Sequence, residues 1–291
     1  MNFAIIGVAG YIAPRHLRAI RDTGNQLVAA IDPHDSVGLL DQYAYDVQYF
    51  SEMERFDRYL EKLRQENDEK KVDYVSICSP NYLHDIHCRE AMRLGANVIC
   101  EKPLVVNSWN LDAIEEVETE TGCKVNAVLQ LRLHSKIKEL RKQLGSWHKV
   151  KLTWITARGN WYHNSWKGNL EKSGGLITNI GVHLFDMLIW LFGMPGGTII
   201  VSADAEIISG FTEFEKARVQ WYLSINPHEM PSGTGNIKRS MIIDNEKIDF
   251  TDGFTDLHTC VYEEVLAGRG FGIKDARPSI ELVQKIREGL E

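Results

Sequence analysis

The chain has 291 residues, a formal net charge of -7, and is 44% hydrophobic and 25% charged. This composition suits a globular protein of one large or two ordinary domains, and its acidity argues against nucleic acid as a partner. Its apolar runs fall short of the ~20 residues that a membrane span needs, and no secretion signal is read at its start, so the expectation is a cytoplasmic protein without a membrane partner. Five cysteines without a CxxC pair read as reduced residues, and no disulfide framework or metal site is expected.

In chain order, the apolar runs FAIIGV, LVAAID, YVSICSP, NVICEKP and KVNAVLQ alternate with helical segments at 12–23, 52–65, 84–94 and 108–121. Strands apolar on both faces and separated by helices predict a doubly wound parallel sheet. The stretch NQLVAAIDPHDSVGLLDQYAYDVQYF is longer and less regular, and the charges at 62–71 read as the solvated end of a helix. Beyond about residue 125 the pattern changes. LHSKIKELRKQL predicts an amphipathic helix, and KVKLTWIT, TIIVSADAEI, EFEKARVQWYLSI, RSMIIDN and EKIDFT predict long alternating strands, with Asp244-Asn245 as a hairpin turn. GGLITNIGVHLFDMLIWLFG predicts one long helix, and helices at 256–267 and 279–289 finish the chain. The expected fold class is α/β: a Rossmann domain over 1–125, then an α+β domain over 126–291 with a large, mostly antiparallel open sheet. The last helix is free to pack back on the first domain.

After FAII the chain runs Gly7-Val8-Ala9-Gly10-Tyr11-Ile12-Ala13 and then into a helix. Small residues between a strand and a helix N-terminus suit a pyrophosphate, which the free N–H groups and helix dipole attract. The spacing departs from GxGxxG, but Gly7 and Gly10 keep side chains out of the way, with Tyr11 and Ile12 completing the turn. The second strand ends in Asp32, roughly 20 residues on, where a carboxylate accepts hydrogen bonds from the adenosine ribose and repels a 2′-phosphate. NAD is therefore expected rather than NADP, with Asp35 as a second acid for the same task.

Ligands of open α/β sheets lie beyond the carboxyl ends of the strands. Two such ends are polar: Ser79-Pro80-Asn81-Tyr82-Leu83-His84 and Glu101-Lys102-Pro103. The predicted helix from Gly174 is apolar apart from Thr178, Asn179, His183 and Asp186. Asn179, His183 and Asp186 are spaced to share one face, and Asp186 is placed to orient the His183 imidazole. A core histidine and a loop lysine are the plainer readings of His183 and Lys102 taken singly.

Taken together, the glycine turn, SPNxxH, EKP and GGxxxNxGxHxxD resemble the Gfo/Idh/MocA oxidoreductases over essentially the whole chain. GYIAPRH, IDPHDSVG, SICSPNYLH, ICEKPLV, SWKG, SGGLITNIGVHLFDML and GFTDLHT are similar to the UDP-N-acetylglucosaminuronate 3-dehydrogenases of bacterial O-antigen pathways within that family. The resemblance implies NAD-dependent oxidation at C3 of the UDP-sugar, NADH recycled by 2-oxoglutarate in some members, and a homotetramer built on the second domain's sheet. It also implies Lys102 and His183 beside the reacting carbinol. Asn179 stands where many members have Asp, so the proton falls to Lys102 or His183. His183 is the expected base, with Lys102 holding the hydroxyl and developing alkoxide, and a Lys102 made basic by burial is the competing assignment. Cofactor contacts are expected from Gly7, Gly10, Tyr11, Ile12, Asp32, Asp35, Ser79, Pro80, Asn81, His84, Glu101, Lys102, Gln130 and Trp166. Substrate contacts are expected from Lys102, Arg158, Tyr162, Lys167, Asn179 and His183. Arg132 is a further candidate for ligand contact, and Arg277-Pro278-Ser279 is expected to start the last helix. Another sugar or inositol dehydrogenase of the same family, or a non-catalytic NAD-binding sensor, are the alternatives.

Overall fold

The computed structural model describes residues 1–66, 69–145, 147–230 and 235–290. The chain forms two compact units, one of Met1–Gln130 with His258–Ala276, the other of Leu131–Leu257 with Arg277–Glu291.

The first unit holds β1 (Asn2–Ile6), α1 (Ala13–Asp22), β2 (Gln26–Ile31), β3 (Gln48–Phe50), α2 (Met53–Gln65), β4 (Tyr74–Ile77), α3 (His84–Arg93), β5 (Asn97–Cys100), α4 (Trp109–Thr121) and β6 (Val125–Ala127). Every strand pair is parallel, in the order β3-β2-β1-β4-β5-β6. Ile5, Val75, Ile77, Val98 and Ile99 are fully buried, as strands covered on both faces require. The irregular stretch after Asp32 supplies the edge strand β3, too short at three residues to show an alternation. The charge run at 62–71 begins in the last turn of α2, and its residues 67–68 lie outside the described residues.

In the second unit α5 (Ser135–Gln143) leads into β7 (His148–Thr156). The short helices α6 (Trp161–Asn164), α7 (Leu170–Ser173) and α8 (Gly175–Asn179) precede α9 (Gly181–Phe192). Strands β8 (Pro195–Ala203), β9 (Ile207–Phe214), β10 (Ala217–Ser224), β11 (Ile237–Ile243) and β12 (Glu246–Asp249) complete a sheet ordered β12-β11-β7-β10-β9-β8. Only β7 and β10 pair in parallel; the other pairs are antiparallel. Leu152, Trp221 and Met241 share one face and are fully buried. Asp244 and Asn245 take φ of 47° and 82°, the double left-handed turn of a tight hairpin.

Two expected strands are each cut by a turn. TIIVSADAEI breaks where the Asp204 Oδ1 accepts from the Glu206 and Ile207 N–H groups, an Asx turn that competes with the ladder. EFEKARVQWYLSI breaks at Glu215-Lys216, between β9 and β10.

The expected single helix from Gly174 is also broken. α8 and α9 meet at Ile180 with a bend of 43° between the flanking helical segments. Gly181 follows the break, where an added Cβ would lie 3.2 Å from Leu223 and Ile177. The small residue lets α9 start close against β10. Among the described residues no single helix is long and apolar enough to cross a membrane. Chain-final helices α10 (Leu257–Leu266) and α11 (Ile273–Glu288) follow, and α11 runs through Pro278 rather than starting there.

Candidate functional site

In the first unit the turn after β1 is built by its own backbone. Gly7 donates to the Ile31 carbonyl, Gly10 to Gly7, and Ala13 to Gly10. Gly7 sits at φ +87°, and a Cβ there would lie 2.7 Å from the backbone of Cys78 and Ser79. At Gly10 it would lie 3.0 Å from the Gly7 carbonyl. Gly7 is therefore required by the close approach of the β1 and β4 ends before any phosphate is considered, and Gly10 by the tightness of the turn itself. Helix α1 begins with no side-chain cap and no acid in its first turn, which leaves its N-terminal dipole for an anion.

Asp32, 6% exposed, ties this turn to β2. Its Oδ2 accepts from the Ala9 N–H at 3.0 Å and its Oδ1 from the His34 N–H at 2.9 Å. A carboxylate has about four acceptor positions, so two remain for ribose hydroxyls. Asp35 is exposed, and its carbonyl accepts from Val37. Tyr11 is exposed and Ile12 half-buried. These features fit a dinucleotide.

The two polar strand ends are joined. His84 is buried, with Nδ1 at 2.7 Å from the Pro103 carbonyl and Nε2 at 2.8 Å from the Ser79 carbonyl. Ser79 and Asn81 are buried and Pro80 half-buried. The Ser79 Oγ lies 2.9 Å from His87 Nδ1. Burial, then the neighbouring His84, holds the His87 imidazole down to about 4.

Glu101 is buried and points into the unit. Its Oε1 accepts from His16 Nε2 at 3.0 Å and His258 Nε2 at 2.8 Å, and its Oε2 from the Lys102 N–H at 3.2 Å. His16 Nδ1 meets the Tyr262 hydroxyl, which meets Ser76. Burial alone would raise the Glu101 carboxyl, but the two imidazoles hold it well below the usual range. Burial lowers His258 against the pull of Glu101. A neutral His258 still donates through Nε2–H, so an ionised Glu101 beside uncharged donors reconciles the two. Both Nε2 atoms lie at hydrogen-bond distance from the carboxylate; an ion is not required to explain the cluster. His16, His258 and Tyr262 went unnoticed in the sequence because each is an isolated polar residue on a helix. Lys102 is half-buried, and its peptide bond to Pro103 is cis. Gln130 is buried, and its Oε1 has no hydrogen-bond partner among the described residues.

In the second unit His183 is half-buried and stacks on Trp154, with centroids 6.3 Å apart and planes 17° apart. The guanidinium of Arg239 lies 4.5 Å from the same ring and 4.0 Å from Phe254. Asp186, which the spacing places to orient His183, is itself held by a buried cation. Both its oxygens are taken by Arg132, at 2.7 and 3.1 Å. Arg132 is 4% exposed and lies 4.8 Å from the Trp190 ring. The Asn179 Nδ2 donates to the Tyr162 hydroxyl at 2.8 Å, and both residues are buried. Burial raises the Tyr162 phenol. Lys167 lies over the Trp166 ring at 3.9 Å, and both are half-buried. Arg158 is half-buried, 5.9 Å from the Trp161 ring, with its Nε lacking a hydrogen-bond partner among the described residues.

Residues 1–128 match the model of the oxidoreductase family with an NAD-binding Rossmann fold, and residues 138–206 match that family's C-terminal alpha/beta domain. The WlbA (WbpB) dehydrogenase from Thermus thermophilus, solved with NAD and alpha-ketoglutarate, is 44% identical, with 99% of this chain and 94% of that chain covered and a TM-score of 0.95. The same enzyme solved with NAD and UDP-GlcNAcA gives 44% identity, the same coverage and a TM-score of 0.94. A putative UDP-kanosamine synthase oxidoreductase subunit from Amycolatopsis mediterranei is 30% identical over 141 residues, 47% of this chain. The match spans 39% of that relative's length. With both domains matched and close likeness along its length, the chain belongs to the Gfo/Idh/MocA oxidoreductase family, whose first domain is an NAD-binding Rossmann fold.

Proposed function

We propose that this protein is an NAD-dependent dehydrogenase that oxidises the C3 hydroxyl of UDP-N-acetyl-D-glucosaminuronate to the 3-keto sugar. The observation that carries this reading is the 44% identity, across 99% of the chain, to a Thermus dehydrogenase solved with NAD and UDP-GlcNAcA. The Gly7–Ile12 turn and Asp32 would hold NAD, together with Asp35, Ser79, Pro80, Asn81, His84, Glu101, Lys102, Gln130 and Trp166. NAD supplies the acceptor for the C3 hydride. His183 takes the hydroxyl proton, with its ring steadied by the stack on Trp154. Lys102 donates to the same oxygen and stabilises the alkoxide that forms as the proton leaves. Arg158 and Lys167 offer cations to the carboxylate and diphosphate, and Tyr162 and Asn179 position the sugar. The product ketone suits a following transamination, as in synthesis of a diacetamido-uronic acid for O-antigen.

The reading extends to 2-oxoglutarate as the oxidant that recycles NADH, supported by the same Thermus enzyme solved with alpha-ketoglutarate. It extends to a cytoplasmic homotetramer built on the second sheet. The support is the face opposite Leu152, Trp221 and Met241, where Ile199 is 64% and Val201 63% exposed. Register places Ile242, Lys151, Gln220, Phe211 and Ile199 side by side across that face.

The test is to scan the purified protein for bound NAD(H), then add UDP-N-acetylglucosaminuronate with 2-oxoglutarate. The expected result is a 3-keto sugar and consumption of 2-oxoglutarate. Turnover of myo-inositol or free glucose but not the UDP-uronate would transfer the assignment to another sugar dehydrogenase. NAD binding without reduction by any nucleotide sugar would favour a sensor.

A further inference from the structure

The hydrogen-bond inventory of the first unit singles out one histidine. His16 faces a carboxylate and a tyrosine hydroxyl, and the hydroxyl can donate or accept. His258 faces one carboxylate, and its Nδ1 has no hydrogen-bond partner among the described residues. Neither needs a second N–H to meet these partners. His84 differs, because its two partners are backbone carbonyls, which only accept. A neutral imidazole has one N–H and would set a lone pair against the second carbonyl at under 3 Å. The ring satisfies both only with two N–H groups.

We propose that His84 is held as a buried, doubly donating imidazolium, a positioning residue that clamps the Ser79 turn to the Pro103 turn and so fixes the Lys102 backbone beside them. This rests on the assignment of Lys102 to the reaction made above.

Burial is the largest single effect and, with the Lys102 ammonium, presses the imidazole below its ordinary range, while the two carbonyls and the Glu101 carboxylate pull it upward. The hydrogen-bond geometry prevails over burial, because neither carbonyl can supply a proton. Glu101 needs the same compensation. Its hydrogen bonds come from His16, His258 and the Lys102 N–H, all of which can donate without carrying charge, so the buried carboxylate, close enough to favour the His84 charge, has His84 as a counter-ion. Buried charges persist when paired and fully hydrogen-bonded. His87, on the same helix, stays uncharged because burial and the His84 charge both act against its protonation. The titratable groups around the clamp are thus Glu101 and Lys102, both charged, and the neutral His87.

The arrangement places backbone atoms at both ends under one side chain. One end carries Ser79, in the turn assigned to the cofactor, and the other Pro103, next to Lys102. A ring that lets go of either carbonyl frees that end, and a displacement of about 1 Å can cost on the order of 10²-fold in rate.

The experiment is a long-range proton–nitrogen spectrum of full-length protein labelled with 15N-histidine, with NAD added. It is recorded from pH 6 to pH 8.5. At the alkaline end one ring is expected to retain the signature of two protonated nitrogens, and that signal should vanish in His84→Gln. Absence of any doubly protonated ring at pH 7 overturns the proposal. So does persistence of the doubly protonated signal in His84→Gln. The spectrum uses no substrate, so its outcome stands whatever the sugar proves to be. Should His84→Gln fail to fold, His84→Asn gives the same assignment, and the wild-type spectrum alone still decides whether a doubly protonated ring exists. In a folded variant, kcat should fall about 10²-fold, and KM for NAD should rise because the Ser79 turn is freed as well. An unchanged kcat overturns the positioning role.

Discussion

The carboxylate of Asp32 accepts a hydrogen bond from the Ala9 N–H at 3.0 Å. The acid assigned to the ribose is therefore also a brace of the phosphate turn, although 23 residues separate the two partners. Asp32→Asn keeps the shape but exchanges one acceptor oxygen for a donor. NAD affinity should fall about tenfold or more, as for loss of a charge-assisted hydrogen bond. Preference over NADP should narrow. Fluorescence titration with both dinucleotides checks this.

Gly7→Ala meets the backbone of Cys78 and Ser79 and a left-handed φ at once. A loss of at least about 2 kcal/mol is expected. Gly10→Ala meets only the Gly7 carbonyl, at 3.0 Å, and carries no positive φ; its loss should be smaller. Thermal unfolding without cofactor compares them.

Lys102→Ala and His183→Ala should each lower kcat by about 10² to 10⁴-fold, the range for a positioned acid or base. NAD binding should survive both. Near-full turnover by Lys102→Ala would refute both base assignments.

Arg132 and Asp186 form a two-pronged pair with side chains 4% and 3% exposed. Arg132→Met takes two charge-assisted hydrogen bonds from a buried carboxylate and should cost about 3–5 kcal/mol. The double variant Arg132→Met/Asp186→Leu should regain most of it. Denaturant unfolding of the three variants measures the coupling.

His87 is held down to about 4 by burial and by His84. An unfolded histidine titrates near 6.5, so between those values the unfolded chain binds more protons than the folded one. The contribution is whole above about pH 6.5 and is lost as pH falls toward 4, with an upper bound of about 3 kcal/mol. Urea midpoints at pH 7 and pH 4.5 should differ less in His87→Asn than in the native chain.

Local patterns were enough for the architecture. Apolar runs of four or five residues, interleaved with helices of period 3.6, specify a parallel sheet, and small residues after β1 specify a sharp turn. Asp244-Asn245 was legible as a hairpin because short polar side chains tolerate left-handed backbone. The cut at Asp204 was not, since an apolar run on either side masks a side chain that bonds its own backbone. Nor was the break at Ile180, where the closeness of α9 to β10 outweighs an otherwise continuous helical pattern.

The chemistry-bearing residues divide in the same way. Their identity and order along the chain (the turn, Asp32, Glu101-Lys102, Asn179 and His183) were set by the sequence, because strand ends and helix faces follow from local periodicity. Their partners were decided by tertiary structure alone. Asp186 meets Arg132 across 54 residues, a pairing that spacing along one helix does not reveal. Glu101 meets His258 across 157 residues, and His84 bridges two strand ends. Such pairings depend on which elements the fold brings together, and a buried polar group takes whichever partner removes the cost of its desolvation.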